Sequence, residues 1–337
     1  MRNTSMSSPR LARLASSHTS TPTRCTRLTA GLASGERILS ISASKMSITP
    51  ILRSELLSEN GDQPLARITP MKNTASGLTL YTFAMSHYSE KIRWTLDHSH
   101  IPYREVCMTP VFHMLPALRM GKQGQTTLPI LQTPRTAIQN SPRILDWLID
   151  NYGPLDILPA EHLQAVRDIE QRFDAIGKDV ARFLYANSFG KADEHILKLW
   201  TDHASAPQAA FLRLAYPIVR WGFRRKLHIT AKRADLALQR ITREINWLDT
   251  QLADGRFYLV NNRFSAADIT VAALLAPIAC PAQHPVYGEP LFAASMADAI
   301  QPWRDRKALQ WVRHMYDLHR GEFTGGAFSP QSDRLRA

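Results

Sequence analysis

The residues best placed to do chemistry are Ser86-His87-Tyr88-Ser89-Glu90-Lys91-Ile92-Arg93-Trp94, which follow a β-like run, Leu78-Thr79-Leu80-Tyr81-Thr82-Phe83. A strand that feeds directly into a helix leaves several N–H groups without helical acceptors at the junction. Together with the helix dipole those groups favour an anion, and a hydroxyl at the same spot can donate a hydrogen bond to it. About forty residues on stands Thr127-Leu128-Pro129-Ile130-Leu131, and Gln139-Asn140-Ser141 opens a second helix. Read together, the three pieces form a site that holds a thiolate. Ser86 on its own also fits a plain helix N-cap.

The elements that must position these residues alternate between strand and helix signals. The pattern predicts a strand over 78–83, a helix from about Tyr88 to Ser99, and a second strand through Tyr103-Arg104-Glu105-Val106 after the Ile101-Pro102 break. An irregular stretch with Pro110, Pro116, Gly121 and Gly124 leads to a hairpin (Leu128–Gln132, Thr136–Ile138) and a helix from Ser141 to Asn151. A β-α-β unit followed by a hairpin and a helix makes a small α/β unit with a mixed sheet. After Gly153-Pro154 the spacing becomes helical. Leu163, Val166, Ile169, Phe173, Ile176, Val180 and Leu184 recur every three or four residues as one face of a long helix. A second helix is expected over about Ala231–Leu252, and Ser265 with Asp268 three residues on has the arrangement of a capping box.

Composition narrows the function classes. The chain has 337 residues, 44% of them apolar, which suits a soluble protein with room for two domains. Its apolar run from Ile269 to Cys280 is short of the roughly 20 residues a membrane-spanning helix needs and contains Pro277. Cys25, Cys107 and Cys280 form no CxxC pair, so neither a disulfide framework nor a zinc site is indicated, and a reducing compartment is expected. Of the net charge of +12, residues 1–70 carry a surplus of five (nine Lys/Arg against four acids), and Arg220, Arg224, Arg225 and Lys226 form one further cluster. That cluster, with Trp221 and Phe223 among it, can meet nucleic acid, anionic lipid or a protein, or simply be a solvated helical face. The first fifty residues are rich in Ser, Thr and Arg, with Glu36 their sole acid, and are expected to be disordered. They read either as an organelle transit peptide or as an over-long start, with Met46 and Met71 as alternative initiators.

In this order and spacing, Ser86–Trp94, Thr127-Leu128-Pro129, Asn140-Ser141 with Ile144, and Phe257–Asp268 resemble the glutathione S-transferase family over about Leu78 to Leu318. The resemblance implies an α/β thioredoxin-like N-terminal domain followed by an all-α helical-bundle C-terminal domain. The expected limits are an extension at 1–76, the thioredoxin-like domain at 77–153, the helical domain at 154–323 and a disordered tail at 324–337.

The resemblance also assigns roles. Ser86 falls where serine- or cysteine-type members keep the group that contacts the glutathione sulfur, so it is the expected catalytic residue. The thioredoxin-type Cys-x-x-Cys would be Ser86-His87-Tyr88-Ser89, which disfavours disulfide exchange. Pro129 matches the family's cis-proline, with Thr127 and Leu128 beside it and the Leu128 backbone pairing with the cysteinyl part of glutathione. Asn140 and Ser141 stand where members grip the γ-glutamyl end, although Asn140 replaces the usual acid. Tyr88, Arg182 and Tyr185 are candidates for the electrophile pocket; Arg182 and Tyr185 share a helix face with Asp174 and Lys178. The implied activity is detoxification-type conjugation of the glutathione thiolate to a small hydrophobic electrophile, or a related reduction or isomerisation. The alternative is a non-catalytic binding or scaffold protein of the same fold. Glutathione is the expected co-substrate, with no metal, no nucleic-acid partner and no membrane span. A homodimer is expected, in the cytoplasm, or in the mitochondrion if residues 1–50 are a transit peptide.

Overall fold

The computed structural model describes residues 77–121 and 124–321. The chain divides into two units, residues 1–65 and 66–337, and every described residue lies in the second. The expectations for 1–76 and 324–337 fall outside the described residues.

A four-stranded sheet comes first. Strand β1 (Thr79–Thr82) leads into helix α1 (His87–His98) and returns as β2 (Arg104–Cys107). Helix α2 (Met114–Gly121), the hairpin β3 (Ile130–Gln132) and β4 (Ala137–Gln139), and helix α3 (Ser141–Tyr152) follow. The strand order is β2-β1-β3-β4, with β2 parallel to β1 and the other two pairs antiparallel. Leu80 and Leu131 meet Ile92, Leu96, Ile144, Leu145 and Leu148 on one face of the sheet. Ile130 and Ala117 of α2 pack on the other. Helix α2 occupies part of the stretch expected to be irregular. Pro116 is tolerated there because it sits in the first turn, where its missing N–H has no helical acceptor to lose.

The remaining elements are helical: α4 (Leu163–Asp174), α5 (Gly177–Ser188), α6 (Asp193–Thr201), α7 (Ala206–Lys226), α8 (Ala231–Gln251), α9 (Ala266–Ala279), α10 (Pro290–Ile300) and α11 (Lys307–His319). A small mixed-sheet domain followed by a helical domain is thus the architecture. Every residue of α9 is buried, and the helix packs against α1, α4, α5 and α11. The apolar run that includes Pro277 is therefore a core helix. Among the described residues no helix is long and apolar enough to cross a membrane.

The single long helix expected over 163–184 is two helices, broken at Ala175-Ile176. The Tyr88 hydroxyl donates to the Asp174 carbonyl at 2.7 Å, competing with the helical ladder. Gly177 follows; a Cβ there would meet the Tyr88 hydroxyl at 2.1 Å. Close approach of α1 thus requires glycine at 177, the first residue of α5. Ser265 and Asp268 form the expected capping box: the Ser265 N–H and hydroxyl both donate to Asp268 Oδ2 at 2.8 Å, and the Leu259 N–H donates to Oδ1 at 2.9 Å.

Candidate functional site

Strand register brings the three sequence pieces to one end of the sheet. Tyr81 pairs with Ile130, so the chain leaving β1 toward Ser86 runs beside the chain entering β3 from Leu128-Pro129. Ile130 pairs in turn with Gln139, which sets Asn140 next to Pro129, and the Asn140 N–H reaches the Pro129 carbonyl at 3.4 Å. Parallel pairing of Thr82 with Cys107 delivers the loop after β2 to the same end, where His113 stands edge-on to Phe83 at 4.5 Å between ring centroids.

Ser86 is the N-cap of α1. Its Oγ accepts the Ser89 N–H at 3.1 Å, and its carbonyl accepts the Glu90 N–H at 2.8 Å. Capping uses the hydroxyl oxygen as acceptor and leaves its proton available to an anion. The amides of His87 and Tyr88, in the first turn, have no helical acceptor. Ser86 itself is half-buried, so this corner is reachable from outside.

The Leu128–Pro129 peptide bond is cis. Among the described residues no backbone hydrogen bond joins Leu128 to the rest of the chain. Its N–H and C=O are therefore open to an extended peptide running alongside. The carbonyl of neighbouring Thr127, whose side chain is exposed, accepts Gln139 Nε2 at 2.7 Å. Asn140 has φ 83° and caps α3 without a side-chain hydrogen bond, and Ser141, buried, begins that helix ahead of Pro142.

The expected pocket residues separate. Tyr185 comes to the corner: its hydroxyl lies 3.9 Å from the sulfur of Met85, the residue before Ser86, and its ring stacks on Phe189. Burial pushes its phenol up to about 12, so it acts as a neutral hydroxyl. Tyr88 is committed to the Asp174 carbonyl. Arg182 bonds Asp179 and donates to the Leu227 carbonyl at 2.8 Å, tying α5 to the end of α7.

The sequence did not assign Lys226 or His113 to this corner. Lys226 at the end of α7 donates to Thr126 Oγ1 at 2.8 Å, one residue before Thr127. Burial lowers its pKa from the ordinary lysine value. Burial pushes His113 down to about 4, with Lys226 adding to the effect. It also holds His87 near 4, against a bond to Gly177 that raises it. Neither ring is cationic at neutral pH. The α1 N-terminus and the exposed Lys226 are positive groups at this corner. The signal for Lys226 was its place in the basic cluster, but its partner is 100 residues away in sequence.

Around this corner α1 is held by charge. Lys91 bonds Glu170 at 2.7 Å and Asp174 at 2.9 Å. Glu90 bonds Arg93 at 2.6 Å and Arg320 at 2.7 Å. Arg93 reaches Glu105 at 2.8 Å, and Trp94 donates its indole N–H to the His319 carbonyl at 3.0 Å. The Tyr287 hydroxyl donates to the Met85 carbonyl. The two described cysteines are inert: burial pushes Cys107 up to about 12 and Cys280 up to about 11.

Residues 80–156 match the family model of the glutathione S-transferase N-terminal domain, and residues 231–300 match that of the C-terminal domain. With the sheet-then-bundle architecture, these matches show that the chain carries an N-terminal and a C-terminal domain of the glutathione S-transferase type over those residues. Solved structures similar to it include a glutathione S-transferase from Methylobacillus flagellatus KT with glutathione bound, at 17% identity over 70% of this chain and 98% of that one, TM-score 0.43. A second is a glutathione S-transferase of Ceriporiopsis subvermispora in complex with glutathione, at 14% identity over 73% and 97% of the two chains, TM-score 0.49. A third is the β-etherase LigF from Sphingobium sp. strain SYK-6, at 18% identity over 71% and 99%, TM-score 0.46. No curated protein matches the chain.

Proposed function

We propose that this chain is a glutathione transferase: it binds glutathione as an added strand along Leu128, sets the sulfur at the start of α1, and presents the thiolate to a hydrophobic electrophile. The observation that carries this reading is the meeting of the Ser86 cap, the open Leu128 backbone and Asn140-Ser141 at one end of the sheet. A free thiol has a pKa of about 8.5, and a helix N-terminus with a hydroxyl donor lowers it toward neutrality. In the conjugation step a carbon–sulfur bond forms as the leaving group departs with its electron pair. Rate is gained by the thiolate fraction and by holding the two reactants side by side. Lys226 supplies positive charge for a carboxylate of the tripeptide, and Tyr185 lines the electrophile side. Homodimer assembly, a cytoplasmic location and a domain limit near Gly153-Pro154 belong to the same proposal. The test is turnover of a chloronitrobenzene-type electrophile by the wild type and by Ser86→Ala. Saturable conjugation that drops at least tenfold in the variant supports the reading, and equal rates remove Ser86 from the mechanism.

A non-catalytic binding protein of the same fold is the second reading, favoured by Asn140 where family members keep an acid. Retention on immobilised glutathione without measurable turnover would select it.

A further inference from the structure

Helix α7 is apolar on two opposite sides. Ala209, Leu212, Tyr216 and Val219 face the core. Phe211, Leu214, Ile218 and Trp221 form a second stripe on the outside, and Leu214 and Ile218 are 86% and 73% exposed. The stripe extends to the loop before α2, because Phe112 packs edge-on against Phe211 at 5.4 Å. Soluble monomers rarely leave such a run of large side chains in water without a use for it.

The charge carried by α7 itself has one sign, while the neighbouring α6 brings Asp193 against Arg220. Residues 206–226 contain no Asp or Glu but carry Arg213, Arg220, Arg224, Arg225 and Lys226, and no acid stands between Glu105 and Asp146 in the segment that includes α2. Arg220 pairs with Asp193, and Arg225 lies over the Trp221 ring at 5.1 Å. Arg213 and Arg224 are exposed at the margin of the stripe.

We propose that this outer face of α7 docks the protein on an anionic phospholipid bilayer, with Leu214, Ile218 and Trp221 entering the interface and Arg213, Arg224 and Arg225 meeting the phosphates. A basic helix with an aliphatic and aromatic face, parallel to the surface, is what such an interface accepts. A second copy of this chain fits less well, because a two-fold contact through the stripe sets arginine against arginine. Nucleic acid has no use for Leu214 and Ile218 at the centre of the patch. The proposal stands independently of the sulfur site.

The test is flotation of the full chain with phosphatidylcholine vesicles containing or lacking about one-third phosphatidylserine. Residues 1–70 are themselves basic, so the deciding comparison is between wild type and α7 variants. Leu214→Asp/Ile218→Asp should abolish binding to the anionic vesicles, and Arg224→Gln/Arg225→Gln should weaken it about thirtyfold. All four positions are exposed, and an unchanged thermal melt confirms folding. Wild-type Trp221 emission should shift to the blue on binding, a change absent from Trp221→Phe. No flotation of the wild type, equal flotation of the variants, or a concentration-dependent dimer lost in Ile218→Asp each overturns the proposal. So does salt-sensitive binding of duplex or single-stranded nucleic acid that depends on Arg224 and Arg225 while vesicles are ignored.

Discussion

Replacing Glu90 by glutamine removes the charge at the centre of the buried network that fixes α1. Glu90 Oε1 accepts Arg320 Nε at 2.7 Å and Oε2 accepts Arg93 Nη1 at 2.6 Å, all three side chains being no more than 1% exposed. Burial alone would raise the Glu90 pKa, but the charges around it, Arg320 foremost and Arg93 with it, outweigh burial and pull it from 4.5 to about 2. That difference corresponds to about 3 kcal/mol, at the low end of the roughly 3–5 kcal/mol for removing one member of a buried pair. The low end is expected because Arg93 keeps Glu105 and Arg320 keeps Asp97. Because the folded-state pKa is depressed, the unfolded chain binds the proton first. The contribution is complete above about pH 4.5 and is lost as pH falls toward 2. Urea denaturation at pH 7 should place Glu90→Gln about 3 kcal/mol below the wild type, and the gap should shrink by about half at pH 3. Equal stabilities at pH 7, or a gap that does not change with pH, would refute this account of what holds α1.

Three further outcomes are expected. Gly177→Ala puts a methyl group against the Tyr88 hydroxyl and should cost about 1–3 kcal/mol in a thermal or urea melt, where an ordinary Gly→Ala change in a helix is stabilising. Lys226→Met, which removes the cation beside Thr126, should raise the KM for glutathione about fivefold while kcat stays within twofold, as read from initial rates. Because His87 and His113 are held near 4, kcat/KM plotted against pH should show the ionisation of the bound thiol and no imidazole inflection between pH 5 and 8.

The convergence of the candidate site's segments was legible because each segment is local. A strand-to-helix junction with serine at the cap, an X-Pro before a β run and an Asn-Ser-Pro helix start each carry their geometry within a few residues, and short antiparallel and parallel registers bring them together. What was not legible depends on partners far apart in sequence. Lys91 finds Glu170 at a separation of 79 residues and Glu90 finds Arg320 at 230, so nothing local in sequence names the partners of the charges on α1. The apolar repeat from Leu163 to Leu184 has one period but yields two helices, and the Tyr88 hydroxyl of another element bonds the carbonyl at the break. Helix α7 was not read from the sequence as an element. A core stripe and an exposed stripe on the same helix blur its periodicity, and only burial tells them apart.

The most direct test of the central claim is ultraviolet titration of glutathione bound to the wild-type protein and to Ser86→Ala, following thiolate absorbance against pH. The thiol should ionise at least one unit below its value of about 8.5 in water. It should return toward that value by about 1–2 units in the variant, as expected for the loss of a charge-assisted hydrogen bond of about 1.5–3 kcal/mol. A bound thiol that titrates as it does in water, or a wild-type protein that takes up no glutathione at millimolar concentration, would contradict the account.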